Sequence, residues 1–171
     1  LIRENLGWSS ALLDTAFAMQ GLGSYPITLA GTDEQKERFL PRMATNALSA
    51  FCLSEPNVGC DAGGQETTCE LSEDGTHYVL NGEKKWATSG ALSGLFTVMA
   101  KQKIEDPKTG KMKTKVTALI CYPNMEGVNI FSRNRAKCGI RGTWQARIKL
   151  TNVKVPVENR LHDEGKGLNV A

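Results

Sequence analysis

The chain has 171 residues, 40% of them apolar and 23% charged, with a formal net charge of +3. This balance excludes a disordered or fibrous chain and suits one sizeable domain, or one domain with part of another. The small, scattered positive excess argues against nucleic acid as a main partner, and without an apolar run of about 18 residues no transmembrane segment is expected.

The N-terminal stretch up to Ala47 reads as largely helical. Leu12, Leu13, Ala16, Phe17 and Met19 recur at roughly helical spacing, and Gly21-Leu22-Gly23 is expected to end that run. Pro26 then opens a short apolar stretch to Ala30. Thr32-Asp33-Glu34-Gln35 has the form of a capping box, in which the Gln35 amide donates to Thr32 while the Gln35 side chain reaches back. The helix it starts carries Phe39 and Leu40 on one face, and Pro41 is expected to kink or end it.

From Leu48 the pattern changes to short β-rich pieces divided by turns. Candidate strands are 50–54, 66–71, 77–80, 84–87, 96–101, 116–121, 128–131 and 146–150. Glu73-Asp74-Gly75 and Asn81-Gly82 are turn signals, the second suited to a type I′ hairpin. Asp106-Pro107-Lys108-Thr109-Gly110 marks the tip of an exposed loop, 103–115. The expected fold is α+β: N-terminal helices followed by an antiparallel β-sandwich or barrel. The chain starts without Met inside a helical pattern and stops at Ala171 as another helix is expected to begin, so it reads as an excerpt of a longer protein.

Cys52, Cys60, Cys69, Cys121 and Cys138 form no CxxC pair, and His77 and His162 have no second ligand at useful spacing, so neither a metal site nor a His-based triad is expected. Reduced thiols in a reducing compartment fit this set. The closest thing to a basic cluster is Arg133, Arg135, Lys137 and Arg141, which a solvated strand edge explains more simply than a phosphate-binding patch.

Two stretches could carry chemistry. In Phe51 to Asp61 a β-rich run stops at Pro56 and a loop of small residues follows, which would let backbone amides approach a planar or anionic ligand. On these residues alone, a strand end with a tight turn is the favoured alternative. In Trp86-Ala87-Thr88, alternation along a strand puts an indole and a hydroxyl on one face, an arrangement suited to a flat heteroaromatic ligand. A core tryptophan beside a surface threonine is the plainer alternative.

Together these stretches resemble the acyl-CoA dehydrogenase family, and four further ones follow its order. Gly31-Thr32-Asp33-Glu34-Gln35-Lys36 with Leu40-Pro41 is similar to its "GTEEQK…LP" helix, and Tyr78-Val79-Leu80-Asn81-Gly82 to its "Y-x-L-N-G" hairpin. Cys138-Gly139-Ile140-Arg141-Gly142-Thr143 resembles its "LGIRGS" turn. Val153-Lys154-Val155-Pro156-Val157-Glu158-Asn159 with Gly165-Lys166-Gly167 resembles its "V-x-VP-x-EN…GKG" exit.

The resemblance implies the end of an N-terminal helical domain (1–47), a middle β-domain (48–160) and the start of a C-terminal helical domain (161–171). It implies FAD as cofactor and α,β-dehydrogenation of a fatty acyl-CoA thioester, with electrons passed to an electron-transferring flavoprotein. Phe51, Cys52, Leu53, Ser54, Gly59, Trp86, Ala87 and Thr88 match the flavin-binding positions, with Ser54 and Thr88 as hydroxyl contacts and Trp86 covering the ring. Cys60 falls at a position near the thioester and pantetheine arm, where the family usually has Ser. Ala18 and Leu22 match positions lining the acyl tunnel, and the 103–115 loop is most like that of the long-chain and very-long-chain branch.

The catalytic glutamate is expected in the C-terminal helical domain, so no residue here is assigned as base and this piece alone is expected to be inactive. A homodimer or homotetramer follows from the resemblance, as does the mitochondrial matrix if the source is eukaryotic and the cytoplasm otherwise. Two alternatives stay open: an acyl-CoA oxidase-like flavoenzyme, or a weakly catalytic member acting in protein-complex assembly.

Overall fold

A computed structural model describes residues 1–106 and 109–171. Among these, the chain forms three α-helices: α1 (Ile2–Ser9), α2 (Ala11–Ala30) and α3 (Asp33–Thr45). The strands are β1 (Leu48–Cys52), β2 (Thr68–Leu71), β3 (His77–Thr88), β4 (Ser93–Glu105), β5 (Met112–Cys121), β6 (Val128–Ser132), β7 (Gln145–Pro156) and β8 (Arg160–Leu161). They join in one sheet ordered β6-β7-β3-β2-β4-β5-β8, with β1 added parallel to β4. The other pairings are antiparallel except a single β2–β4 contact, so the α+β expectation with a mostly antiparallel β-region holds.

Strand alternation divides the interior in two. Phe96, Val98 and Ala100 of β4, with Leu119 and Cys121 of β5, pack into an inner core against Tyr78, Leu80, Ile148 and Val153. Leu95 and Met99 of β4, with Ala118 and Ile120 of β5, face the helices and meet Ile27 of α2 and Phe39 of α3. Each fully buried side chain of this size contributes roughly 1.5–3 kcal/mol, so the second core is what fixes the helices to the sheet.

The helices depart from expectation. Instead of ending at Gly21-Leu22-Gly23, α2 runs through both glycines and Pro26 to Ala30. Packing explains it: a Cβ on Gly23 would stand 2.6 Å from Ser49 Oγ, so glycine there lets the helix lie directly on β1. Thr97 Oγ1 donates to Gly23 O at 3.1 Å, and Ser49 Oγ donates to Gln20 O at 3.0 Å. The Gln20 side chain donates to Met43 O and Ala47 O and accepts from Ser49 N, tying α2 to α3 and β1. Helix α3 likewise passes Pro41 and continues to Thr45, held by buried Gln35 and Phe39. Its capping box is formed as expected, with both reciprocal bonds present.

The type I′ turn expected at Asn81-Gly82 is absent, because 77–80 and 84–87 are parts of the single strand β3 paired with β7. Asn81-Gly82 sits opposite a bulge in β7, where Asn152 has φ +49 and its amide donates to Asn81 Oδ1 at 2.8 Å. Gly82 is needed for close approach, since a Cβ there would meet Thr67 at 2.4–2.7 Å. The Glu73-Asp74-Gly75 turn does join β2 to β3, with Gly75 at φ +69. Much of 103–115 is strand rather than loop, paired through Ile104–Lys113 and Glu105–Met112; Pro107 and Lys108 of its tip lie outside the described residues.

Among the described residues, no helix is long and apolar enough to cross a membrane. A 3₁₀ turn at Gly167–Val170 stands where the start of another helix was expected.

Candidate functional site

The ends of β1 and β3 meet beneath α2. On β1, Ala50 and Cys52 point into the inner core, which turns Phe51 the other way, toward the helices. Lys85 N donates to Ser54 O at 2.8 Å and ties the chain just beyond β1 to β3.

On β3 a second irregularity decides what faces outward. Lys84 pairs with Ile148 and Ala87 with Ala146, so β3 carries one residue more than β7 between those points. Trp86 sits in this bulge at φ +62, which re-aims its side chain. Lys84 and Ala87 are therefore both buried, while Lys85, Trp86 and Thr88 face a common cleft.

The cleft has a volume of about 330 Å³ and is lined by Met19 and Leu22 from α2, then Phe51, Leu53 and Ser54, then Lys85, Trp86 and Thr88, with Ala171 at its edge. This lies at the low end of the ~300–1,000 Å³ typical of small-molecule sites. Apolar walls, an indole and two hydroxyls suit a flat heteroaromatic ring with a polar edge, so the residues fit an isoalloxazine. Thr88 Oγ1 accepts a long bond, 3.4 Å, from Gln145 Nε2, which leaves its own proton for a ligand. Trp86 stays 43% exposed, with Lys85 Nζ 5.1 Å and Arg135 Cζ 5.3 Å from its ring centroid. A second, apolar groove of about 670 Å³ runs along α2 past Phe17, Ala18, Tyr25 and Leu29. Leu22 and Ala171 border both spaces.

Of the residues singled out in the sequence, Phe51, Leu53, Ser54, Trp86 and Thr88 come together in this cleft. The side chains of Cys52 and Ala87 do not, because both pack in the inner core. Burial pushes the Cys52 thiol up to about 12. Gly59 and Cys60 are exposed on the loop that follows and stand off the cleft wall. Arg133, Arg135, Lys137 and Arg141 lie in the loop between β6 and β7 instead of on a strand edge.

Beneath the 54–61 loop is an ion pair the sequence reading missed. Lys84 Nζ lies 2.7 Å from Glu55 Oε1 and also donates to Gln65 Oε1 and Leu53 O. Glu55 accepts from the Glu66 and Thr67 amides at 2.5 and 3.0 Å. Burial alone would raise the Glu55 carboxyl, but the bonds from Lys84 and residues 66–67 hold it below its ordinary value. The signal was present: Lys84 continues the inward parity of Tyr78 and Leu80, and a lysine on a core face requires a partner. Lys85 in the cleft wall was also missed.

Comparison with known proteins agrees with this arrangement. The acyl-CoA dehydrogenase N-terminal domain model matches residues 1–47 and the middle domain model matches 50–153. The very long-chain specific mitochondrial acyl-CoA dehydrogenase of Macaca fascicularis is 40% identical over 158 residues, which are 92% of this chain and 24% of the relative. An acyl-CoA dehydrogenase of Bacillus anthracis complexed with FAD superposes with a TM-score of 0.82 at 38% identity, over 93% of this chain and 26% of that one. Butyryl-CoA dehydrogenase of Megasphaera elsdenii gives 0.83 at 34% identity, over 94% and 41%. The chain thus spans about a quarter of the length of the curated relative. With its helices, its sheet and both domain models in register, this chain belongs to the acyl-CoA dehydrogenase family.

Proposed function

We propose that this chain contributes the flavin-facing part of an FAD-dependent acyl-CoA dehydrogenase, which removes hydrogens from the α and β carbons of a fatty acyl-CoA thioester and passes electrons to an electron-transferring flavoprotein. The observation that carries this reading is the convergence of Ser54, Trp86 and Thr88 on one cleft. When bound, FAD supplies the two-electron oxidant. Phe51 and Leu53 form the apolar wall, and the Ser54 and Thr88 hydroxyls donate to the ring's polar edge, where such donors stabilise developing negative charge. Trp86 shields the ring from water on the outer side.

The groove past Ala18 and Leu22 takes the acyl chain, and Cys60, on the exposed loop beyond the cleft, stands at the position near the thioester and pantetheine arm where the family usually has serine, a stronger donor than a thiol. The general base belongs to the helical region that follows the middle domain in this family, so residues 1–171 alone are inactive. In this reading 1–47 closes the N-terminal helical domain, 48–160 is the middle β-domain and 161–171 leads to the C-terminal one. The assembled protein is a homodimer or homotetramer, in the mitochondrial matrix or, in a bacterium, the cytoplasm.

Purifying the full-length protein with FAD tests the reading. A yellow flavoprotein bleached anaerobically by acyl-CoA, with turnover dependent on an electron-transferring flavoprotein, supports it. A colourless protein, or turnover that consumes oxygen without that acceptor, counts against it.

A further inference from the structure

Some cations among the described residues pair with carboxylates, and two at the cleft and its indole do not. Lys84 pairs with Glu55, Arg147 with Glu83, Arg160 with Glu164 and Lys113 with Asp106. Among the described residues, no carboxylate lies within 4.0 Å of Lys85 or Arg135. These two come from separate elements, the β3 bulge and the β6–β7 loop, yet both close on the indole of Trp86. The surrounding sequence offers Arg135 no counter-charge, with neither Asp nor Glu between Glu126 and Glu158, and Glu83, two residues from Lys85, is taken by Arg147.

Lys85 is half-buried in the cleft wall, on the opposite side of the strand from the paired Lys84. Cation–π attraction to Trp86 holds both groups at the rim in place of an ion pair. Lys85 therefore brings its charge into the cleft wall, and Arg135 holds a second charge on the indole that lines it.

We propose that Lys85 and Arg135 form an electropositive rim that makes the cleft bind the reduced, electron-rich and negatively charged form of its ring ligand more tightly than the oxidised, neutral form. This inference rests on the flavin reading above and assigns to that site a device for setting how readily the ring accepts electrons. Two groups at the rim are positioning charges; neither exchanges a proton or forms a bond. At an effective dielectric of about 20, one unit charge roughly 10–12 Å from the ligand's charge is worth on the order of tenfold in such an equilibrium.

The test uses the full-length protein loaded with FAD, in wild-type form and as Lys85→Met, Arg135→Gln and the double variant. The readouts are the affinity for oxidised FAD and the midpoint potential of the bound cofactor. Each single variant is expected to keep its affinity for oxidised FAD within about threefold. The reduced-to-oxidised affinity ratio should fall about tenfold, which for a two-electron couple is a shift of about 30 mV to more negative potential. The double variant should fall further, and Lys85→Arg should retain the wild-type potential. An unchanged potential in the double variant overturns the proposal, as does an equal loss of affinity for both forms. If the wild-type protein takes up no FAD, the flavin reading itself falls, and this inference with it.

Discussion

Lys84 Nζ stands 2.7 Å from Glu55 Oε1, and both side chains are 1% exposed. The pair joins the strand that carries Trp86 and Thr88 to the loop that carries Ser54, so the cleft walls are braced from below. Removing either partner leaves the other charge buried without compensation, at a cost of about 3–5 kcal/mol. Lys84→Met and Glu55→Gln should each lower the denaturation midpoint strongly, and the double variant should lose less than the two together. Additive losses in a double-mutant cycle would show that the contact carries no coupling.

The same carboxylate makes stability sensitive to acid. Glu55 and Glu164 are held below their ordinary value of 4.5; burial opposes this at both, but is outweighed by Lys84 and residues 66–67 at Glu55, and by Tyr78, Gln102 and Arg160 at Glu164. A carboxyl depressed in the folded state contributes stability that is complete above its unfolded value and lost as pH falls through the folded one. Thermal midpoints measured downward from pH 7 should hold until about 4.5 and then decline. Glu55→Gln should flatten that decline. A midpoint that rises on acidification would contradict the assignment.

Two neighbouring glycines should respond oppositely to the same change. A Cβ on Gly23 would lie 2.6–2.8 Å from Ser49, whereas nothing lies within 4 Å of one on Gly21. Gly23→Ala should cost roughly 1–3 kcal/mol through forced separation of α2 from β1. Gly21→Ala should be neutral or stabilise by up to ~1 kcal/mol, because alanine is the better helix former. Urea denaturation of the two variants side by side separates these outcomes.

Cysteine reactivity should divide two against three. Cys60 and Cys138 are exposed; Cys52, Cys69 and Cys121 are buried. Burial pushes Cys52 and Cys69 up to about 12 and Cys121 also upward, so none of the three offers thiolate near neutrality. A thiol reagent should titrate two groups in the native chain and five after unfolding. Rapid labelling of Cys52 in the native state would mean the inner core is open.

How far the sequence could be read depended on whether a signal was local. The Thr32–Gln35 capping box was legible because its bonds close within one turn. Gly23 and Gly82 misled because each resembled a breaker or a turn, while its use is close approach to Ser49 or Thr67, far away in sequence. Trp86 and Thr88 were rightly placed on one face, but simple alternation was not the reason. Trp86 reaches the cleft through a bulge defined only by pairing with β7. Cys52 and Ala87 fell within the matching motifs, yet strand parity turns their side chains inward.

The central claim is that the cleft between Phe51 and Thr88 seats a flavin ring, and titrating the full-length protein with FAD tests it most directly. Flavin absorbance and Trp fluorescence would be followed in the wild type, Trp86→Ala, Thr88→Val and a Cys138→Ser control. The account predicts saturable binding in the wild type and control, and a loss of about 3–10-fold in Thr88→Val from one missing hydrogen bond. Trp86→Ala should lose at least as much. Undiminished FAD affinity in both cleft variants would place the cofactor elsewhere and contradict the account.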